Sequence, residues 1–283
     1  MFLFKMSEKV KIVSVNIMGG LGNQMFQLAT AYAYAKQNNG KLIVLRNKKE
    51  ADGRSLYWDN MLYRFQEFLV DKLPEGLERW HESGPTEFCI IPSLTSKGLY
   101  ISGYLQSPKY FFKLQQEIRD LFKPSDDTMC KIQTKYNVLL KNKERVVIVH
   151  ARRTDYLKNQ DIINFHGPLS TDYYNKAINK MTNENEDPIF LLASDDPSFW
   201  ISVINELPQL NSRNIYILDD ENEINTIALL QQFQYFIIAN STFSWWAAWL
   251  SKDPKKVIAP SKWFGPTGPQ NYKDIYMPSW ELI

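Results

Sequence analysis

Short apolar runs and longer amphipathic segments alternate along the second half of the chain. The apolar runs have the length of β-strands, and they cover residues 145–150, 188–194, 214–220, 235–240 and 255–260. The segments between them have helical periodicity, which predicts helices over residues 170–181, 196–207, 223–233 and 242–252. Continuous apolar strands that alternate with helices indicate a parallel sheet covered on both faces.

The first half of the chain shows the same alternation less regularly. The pattern predicts strands over residues 11–17, 41–46 and 98–107, and helices over residues 22–37, 108–123 and 127–143. The aromatic-rich stretch 47–97 has no clear period. We therefore predict an α/β protein with two domains, residues 1–144 and 145–283, and a cleft between them.

Composition narrows the classes of function. The 283 residues include 33 basic and 31 acidic side chains, so any anion site must be a local cluster rather than a field of one sign. Cys89 and Cys130 are too few for a disulfide framework, which favours a reducing compartment. No apolar run approaches the ~20 residues of a membrane helix, and the start, MFLFKMSEKV, is too short for a signal-peptide core. We expect a soluble cytoplasmic protein, with peripheral membrane association left open.

The stretch VVIVHARRTDY, residues 146–156, carries two arginines directly behind a predicted strand. Ligands of parallel α/β sheets lie beyond the carboxyl ends of the strands, and an arginine fork matches the oxygens of a phosphate. Arg152 and Arg153 are therefore either phosphate ligands or surface arginines in local ion pairs. Asp155 is placed to clamp one guanidinium, and His150 by itself is most simply a core histidine.

The stretch GGLGNQ, residues 19–24, connects a predicted strand to a predicted helix. Glycines at such a junction permit positive φ and a close backbone approach to a ligand, and a helix N-terminus favours anions. The stretch is not the dinucleotide fingerprint, because Gln24 stands where the third glycine belongs. Gly22 and Asn23 are candidate binding residues, with the amides of Asn23 and Gln24 expected to be exposed. A tight structural turn is the alternative.

The stretch ANSTFSWWAAWL, residues 239–250, places Asn240, Ser241 and Thr242 where a strand meets a helix. Ser and Thr are ordinary N-cap residues, and the three tryptophans at helical spacing are expected in the core. The amides of the first helical turn would still point to the same sheet edge as Arg152, and a diphosphate held between them needs no metal ion. Asn240 also begins a glycosylation sequon, which we discount because the position is expected to be internal.

Two acidic clusters, Asp195–Asp196 and Asp219–Glu221, are the obvious places to look for a metal site. The sequence SDDPSFW, however, fits a helix N-cap followed by a proline in the first turn. We therefore predict no metal site.

Together these segments resemble the α-1,2-fucosyltransferases of glycosyltransferase family 11. The similarity keeps the family's order from about residue 17 to residue 264, through GGLGNQMFQLATAYAYAK, ISGYLQSPKYF, VVIVHARRTDYL, LLASDDPSFW and FIIANSTFSWWAAWL followed by PSKWF. Its most specific elements are His-x-Arg-Arg-x-Asp and Asn-Ser-Thr-Phe-Ser-Trp-Trp. The resemblance implies a GT-B-like fold, in which two Rossmann-like domains with parallel sheets face a central cleft. It makes the first domain the acceptor side and the second the nucleotide-sugar-binding domain.

The resemblance also implies an activity, the inverting and metal-independent transfer of fucose from GDP-fucose to a 2-hydroxyl of a galactose-type glycan. The nucleotide sugar is then a substrate, and no cofactor is required. Arg152 and Asp155 are the implied catalytic residues, Arg152 at the leaving diphosphate and Asp155 as a candidate base. The implied donor-binding residues are Gly22, Asn23, His150, Arg152, Arg153, Asp195, Asn240, Ser241, Thr242 and Phe243.

One departure from the family pattern concerns the donor. Thr226 stands where related fucosyltransferases have an aspartate that contacts guanine, and LLQQF replaces a Met-Ser-x-Cys pattern. A neutral side chain cannot accept both N–H bonds of guanine. Two alternatives therefore stay open: another nucleotide-deoxysugar donor such as a rhamnose or an amino-deoxyhexose, and a non-catalytic glycan-binding relative. The acidic cluster leaves a third, a metal-dependent transferase that uses Asp219–Glu221.

Overall fold

The computed structural model describes residues 10–46, 55–210 and 214–283. The chain divides into two compact units. The first contains the residues up to Leu121 together with Lys273–Ile275, and the second contains Phe122–Tyr272 together with Tyr276–Ile283. The N-terminal segment 1–9, on which the signal-peptide prediction depends, lies outside the described residues.

The first unit is built on a four-stranded parallel sheet in the order β2-β1-β6-β5. Its strands and the short pair β3 and β4 are β1 (Ile12–Val15), β2 (Lys41–Leu42), β3 (Val44–Leu45), β4 (Leu69–Val70), β5 (Glu78–His81) and β6 (Leu99–Ser102). Helix α1 (Leu21–Gln37) packs against β1 and buries most of its side chains, including Met25 and Phe26. Helix α2 (Gln115–Leu121) ends the unit.

Three of the predicted elements of the first unit differ in detail. The strand predicted over 98–107 ends at Ser102, and residues 103–107 form a loop. The strand predicted over 41–46 is two short strands that join different sheets, because Val44 and Leu45 pair with Leu69 and Val70. The helix predicted over 108–123 begins as two short 3₁₀ turns and becomes α-helical at Gln115. The stretch without a clear period, described from residue 55, contains β4 and β5.

The second unit is built on a six-stranded sheet in the order β12-β11-β10-β7-β8-β9, and every pairing is parallel. Its strands are β7 (Val146–Ala151), β8 (Ile189–Ser194), β9 (Asn214–Leu218), β10 (Tyr235–Ile237), β11 (Lys256–Ala259) and β12 (Glu281–Leu282). Its helices are α3 (Asp126–Lys135), α4 (Asn137–Lys141), α5 (Gln160–His166), α6 (Thr171–Glu184), α7 (Pro197–Val203), α8 (Glu223–Leu230) and α9 (Thr242–Leu250). The predicted parallel α/β sheet is confirmed, with β12 and α5 as additions.

The two faces of this sheet are covered by different helices. Val147 and Val149 of β7 lie in one buried cluster with Tyr174 of α6 and Trp200 of α7. Successive strand residues point to opposite faces, so His150 points to the other face, where its ring contacts Phe243 of α9. The three tryptophans of α9 are buried, as predicted.

The division between the units falls at 121–122 rather than at the predicted 144–145. Phe122 packs edge-on against Trp246, with ring centroids 5.1 Å apart, and Lys135 of α3 bonds to Glu221 over 2.7 Å. These contacts place residues 122–144 with the second sheet. The hydrophobic pattern predicts α3 and α4 as one helix but does not indicate which sheet they join.

The segment Lys273–Ile275 belongs to the first unit although it lies late in the chain. Asp274 is buried and accepts a 2.6 Å hydrogen bond from Lys109 and a 3.1 Å bond from the amide of Phe88. Its carbonyl oxygen accepts from the hydroxyl of Ser107. Within the described part of the chain, no helix has the length and apolar character needed to cross a membrane.

Candidate functional site

The loop that leaves β7 holds a guanidinium at the carboxyl edge of the second sheet. Nε of Arg152 donates to Oδ1 of Asp155 and Nη2 donates to Oδ2, each over 2.8 Å. Burial by itself would lower the pKa of Arg152, but the hydrogen bond to Asp155 and the charge of Asp195 raise that pKa above its usual value. Asp155 therefore clamps one edge of the guanidinium, and Nη1 is directed away from that edge.

Asp195, which follows β8, organises the same loop. Its carboxylate accepts hydrogen bonds from the amide of Arg153 over 2.8 Å and from the amide of Thr154 over 3.1 Å, and it also accepts from the hydroxyl of Thr154. Oδ2 of Asp195 lies 3.4 Å from Nε of Arg152. Asp195, which we predicted to bind the donor, thus holds the loop that carries Arg152, Arg153 and Thr154. It does so from the end of β8, the strand that pairs with β7.

Arg153 points away from Arg152. Its Nη1 donates to the carbonyl oxygen of Leu169 over 3.3 Å, and its guanidinium carbon lies 4.3 Å from the ring centroid of Phe199. Both contacts are typical of a structural arginine that stacks on a ring. Of the two adjacent arginines, Arg153 is thus directed to Leu169 and Phe199, and Arg152 to Asp155.

His150 is buried and has a ring nitrogen to spare. Its ring lies 5.5 Å from that of Phe243, and Nδ1 has no hydrogen-bond partner within the described residues. Burial holds the pKa of His150 well below its usual 6.5; the charge of Asp195 opposes this shift, and the charge of Arg152 adds to it. At neutral pH the imidazole is therefore uncharged, and the cationic charge of this edge comes from Arg152.

Asn240 fixes the turn between β10 and α9. Its Nδ2 donates to the carbonyl oxygens of His166, Gly167 and Trp263, over 2.6, 3.2 and 3.0 Å. The side chain is almost fully buried, which agrees with our discounting of the sequon. Ser241 is the N-cap of α9, because its hydroxyl oxygen accepts from the amide of Phe243 over 3.3 Å.

Tyr156 connects the arginine loop to this turn. Its hydroxyl donates to the carbonyl oxygen of Asn240 over 2.9 Å, and its ring centroid lies 5.9 Å from the guanidinium carbon of Arg152. The ring also stacks on His166, with centroids 4.0 Å apart. Since β7 and β10 are paired neighbours, Arg152 and Ser241 leave adjacent strand ends on one edge of the sheet. The sequence gives no signal for Tyr156 beyond its position five residues after β7.

Glu221, in the acidic stretch 219–221, forms hydrogen bonds with neighbouring side chains of the second unit. Oε1 of Glu221 accepts from Lys135 over 2.7 Å and from Tyr136 over 2.9 Å, and Oε2 accepts from Asn225 over 2.9 Å. These bonds hold α3 against β9 and α8. Across residues 10–46, 55–210 and 214–283, no three His, Cys, Asp or Glu side chains are grouped to hold a metal ion.

The glycine-rich stretch lies in the first unit and forms the start of α1. Gly19 has φ +79°, Gly20 is the N-cap, and Gly22 is buried inside the helix. Oδ1 of Asn23 accepts a 2.9 Å hydrogen bond from the side-chain amide nitrogen, Nε2, of Gln106. Their part in donor binding stays a prediction.

The prediction that Gln24 is exposed is wrong. The side chain is fully buried, and Nε2 donates to the carbonyl oxygens of Gly19 and Ser55. The side-chain amide of Gln24 thus donates to two backbone carbonyl groups that are far apart in the chain. The sequence pattern does not predict these hydrogen bonds, because it does not show which loops lie next to each other.

The family model for glycosyl transferase family 11 matches residues 3–283. The chain belongs to this family. An alpha-1,2-colitosyltransferase of Escherichia coli is 28% identical to this glycosyltransferase over 286 residues, which cover 90% of this chain and 93% of that protein. A galactoside 2-alpha-L-fucosyltransferase of Bos taurus, SEC1, is 25% identical over 262 residues, which cover 85% of this chain and 64% of that protein.

Solved structures match the glycosyltransferase across most of its length. A mutant of FUT1 from Arabidopsis thaliana, in complex with GDP, superposes with a TM-score of 0.56 at 13% identity and covers 95% of this chain and 73% of that one. At this identity the similarity shows the fold alone. The predicted GT-B fold with Rossmann-like units is confirmed.

Proposed function

We propose that this glycosyltransferase transfers a 6-deoxyhexose, fucose or a closely related deoxysugar, from a GDP-linked donor to the 2-hydroxyl of a galactoside. The observation that carries the proposal is that Arg152 and the start of α9 lie at adjacent strand ends on one edge of the sheet. Tyr156 contacts both Arg152 and Asn240, and the ring of His150 contacts Phe243 of α9. The names of relatives that transfer colitose and fucose agree with it.

The chemistry follows from the charge at this edge. Attack by the acceptor oxygen on C1 forms the new C–O bond while the bond from C1 to the diphosphate breaks, and the electron pair stays on the leaving oxygen. Negative charge therefore grows on the diphosphate in the transition state. A guanidinium and the positive end of α9, both fixed beforehand, stabilise that growing charge more than the charge of the intact donor.

The clamp by Asp155 and Asp195 has a defined part in this mechanism. It occupies Nε and one hydrogen of Nη2, so the far edge of the guanidinium, which includes Nη1, is the part presented to the phosphate. The same bonds prevent the side chain from changing rotamer, which lowers the entropy lost on binding. Asp155 then acts by positioning Arg152, and an ion-paired carboxylate is a weak base.

His150 and Asn240 contribute buried polar atoms to the same edge. Nδ1 of His150 and Oδ1 of Asn240 are both buried without a partner among the described residues. Since buried polar atoms are normally hydrogen-bonded, we assign these two to polar groups of the nucleotide sugar. An uncharged imidazole serves as donor or acceptor there without adding charge.

A donor screen tests the proposal. Purified protein is incubated with methyl β-galactoside and, separately, GDP-fucose, GDP-colitose, dTDP-rhamnose or a UDP-sugar, each with and without a chelator. The expected result is transfer from a GDP-linked 6-deoxy sugar, a product linked through O2 by NMR, and an unchanged rate in the chelator. Transfer only from dTDP or UDP donors would contradict the GDP assignment. Thr226 is the reason for including these donors, because a neutral side chain cannot accept both N–H bonds of guanine. No transfer from any donor would contradict the enzymatic proposal.

A further inference from the structure

Tyr156 contacts both sides of the candidate phosphate site. It lies in the short 3₁₀ turn Asp155–Leu157 that follows β7. Its hydroxyl donates to the carbonyl oxygen of Asn240 over 2.9 Å, and its ring centroid lies 5.9 Å from the guanidinium carbon of Arg152. Asn240 directly precedes Ser241, the N-cap of α9. All of these residues belong to the second unit, so the contacts of Tyr156 lie within one compact body.

The pairing of β7 with β10 ends before the residues of this site are reached. The last paired residues are Val149 and Ile237. Arg152 lies three residues beyond Val149, and Ser241 lies four residues beyond Ile237. The hydrogen bond from the hydroxyl of Tyr156 joins the two chain segments beyond this last pair. It therefore restrains the distance between the guanidinium and the first amides of α9.

The ring of Tyr156 stacks on a residue that is itself held in place. That residue is His166, the last of α5, and the two rings have centroids 4.0 Å apart and planes 12° apart. Gly167, which follows, has φ +61°, and a β-carbon there would lie 2.9 Å from the Cα of Gly265. The amide of Gly265 donates to the carbonyl oxygen of Phe165 over 2.9 Å. Because this backbone is closely packed and hydrogen-bonded, the ring of Tyr156 has a fixed support.

Tyr156, His166 and Asn240 form a closed set of contacts. The ring of Tyr156 stacks on His166, the carbonyl oxygen of His166 accepts from Nδ2 of Asn240 over 2.6 Å, and the carbonyl oxygen of Asn240 accepts from the hydroxyl of Tyr156. A closed set of this kind leaves the phenol little freedom to move. Supporting contacts behind the residues that bind a ligand keep a site within about 0.5 Å of its productive geometry.

We propose that Tyr156 is a positioning residue, whose hydroxyl holds the start of α9 and the guanidinium of Arg152 at the separation that one phosphate group can bridge. The proposal rests on one part of the proposed function, the binding of a nucleotide diphosphate between these two groups. A phosphate gains from both only if the guanidinium and the amides lie at hydrogen-bond distance from it at the same time. Tyr156 acts through these two groups rather than by contact with the ligand.

Tyr156→Phe tests the proposal, because it removes the hydroxyl and keeps the ring that stacks on His166. Tyr173→Phe is the matched control. Tyr173 lies on α6, and its hydroxyl donates to the carbonyl oxygen of Ile238 over 2.7 Å, two residues before Asn240. The control thus removes the same kind of bond from the same chain segment, but from the side of α6 rather than from the arginine loop.

GDP and GMP are titrated calorimetrically into the wild type and both variants, and thermal unfolding measures the stability of each. Tyr156→Phe is expected to lose a factor of about 3–10 of the preference for GDP over GMP, the net strength of one hydrogen bond, with its GMP affinity unchanged. Tyr173→Phe should lose stability but keep the whole preference. In transfer from GDP-fucose to methyl β-galactoside, Tyr156→Phe should lower kcat and leave the KM for the galactoside unchanged, which a general loss of structure would not do.

A double-mutant cycle with Arg152→Ala separates positioning from direct contact. Once the guanidinium is absent, the separation that Tyr156 maintains has no effect on phosphate binding. Tyr156→Phe should therefore cause no further loss of GDP preference in the Arg152→Ala background. A further loss of the size seen in the wild-type background would show that the hydroxyl acts on the phosphate or on α9 alone, and it would overturn the proposal.

The titrations also distinguish this proposal from the proposed function. If the wild type prefers GDP and Tyr156→Phe keeps the whole preference, the assignment of Tyr156 fails and the proposed function stands. If the wild type binds GDP no better than GMP, the phosphate site at Arg152 fails, and both proposals fail with it. Absence of transfer from every donor would overturn the proposed function, while the GDP preference of Tyr156→Phe would still decide the role of Tyr156.

Discussion

At the scale of single residues, the two carboxylates nearest to the candidate donor site and the carboxylate of Glu82 differ in their partners. Asp155 and Asp195 lie beside the guanidinium of Arg152, whereas Glu82 faces a phenol and backbone amides. A cationic partner favours the charged form of a carboxylate, and burial without such a partner favours the neutral form. A carboxylate therefore clamps a guanidinium in the second unit, whereas the carboxylate of Glu82 in the first unit has neutral hydrogen-bond donors.

The clamp gives a direct prediction for Arg152. Arg152→Lys keeps one positive charge but cannot bond both oxygens of Asp155 and also reach a phosphate, because an ammonium is a point charge without the planar fork. We expect kcat to fall by roughly 10²–10³-fold, the usual cost of removing one preorganised donor to a developing anion. Steady-state kinetics with the donor found in the screen measures this fall.

Arg145→Lys is the control for that experiment. Arg145 precedes β7 at the opposite end of the strand and bonds to Asp187. Its replacement should leave kcat within twofold of the wild type. Equal rates for Arg152→Lys and the wild type would remove Arg152 from the mechanism.

At the scale of elements, β7 and β8 are predicted well by the sequence because they are buried on both faces. The residues of β7 and the first five of β8 are all buried, so their apolar runs leave no other assignment. Strand β5 lies at the edge of its sheet and reads Glu-Arg-Trp-His with no residue fully buried, so neither its strand nor Glu82 behind it is visible as a pattern. The motif GGLGNQ marks the carboxyl end of β1 in the same sheet, but no motif marks the carboxyl end of β5.

The loop 103–107 supports a prediction at this scale. Gly103→Ala adds a β-carbon 2.5 Å from the Cβ of Glu82, so the loop or the glutamate must move. We expect a loss of about 1–3 kcal/mol in the free energy of unfolding, as is typical of overpacking. Urea unfolding of the variant and the wild type measures this loss.

Gly84→Ala is the matched control, because a β-carbon at Gly84 meets no atom within 4 Å. That variant should stay within about 0.5 kcal/mol of the wild type, as surface substitutions usually do. Indistinguishable stabilities for the two variants would show that the loop does not depend on close contact with Glu82.

At the scale of the whole molecule, the chain carries a formal net charge of only +2, so the proposed affinity for a diphosphate has to come from local arrangement. The sequence predicts that arrangement because the motif residues end adjacent buried strands. It does not predict the division into units, since the contacts of Phe122 and Lys135 with the second sheet and those of Asp274 with the first join residues far apart in the chain. Local pattern thus identifies the elements, and packing decides their grouping.

The central claim is that Arg152 and the start of α9 hold the terminal phosphate of a nucleoside diphosphate. Calorimetric titration of GDP and GMP into the wild type, Arg152→Ala and Arg145→Lys tests it most directly, because the two nucleotides differ only in that phosphate. The wild type and Arg145→Lys are expected to prefer GDP over GMP by the same factor. Arg152→Ala is expected to lose at least tenfold of this preference while its affinity for GMP is unchanged. An undiminished preference for GDP in Arg152→Ala would contradict a role of Arg152 at the terminal phosphate.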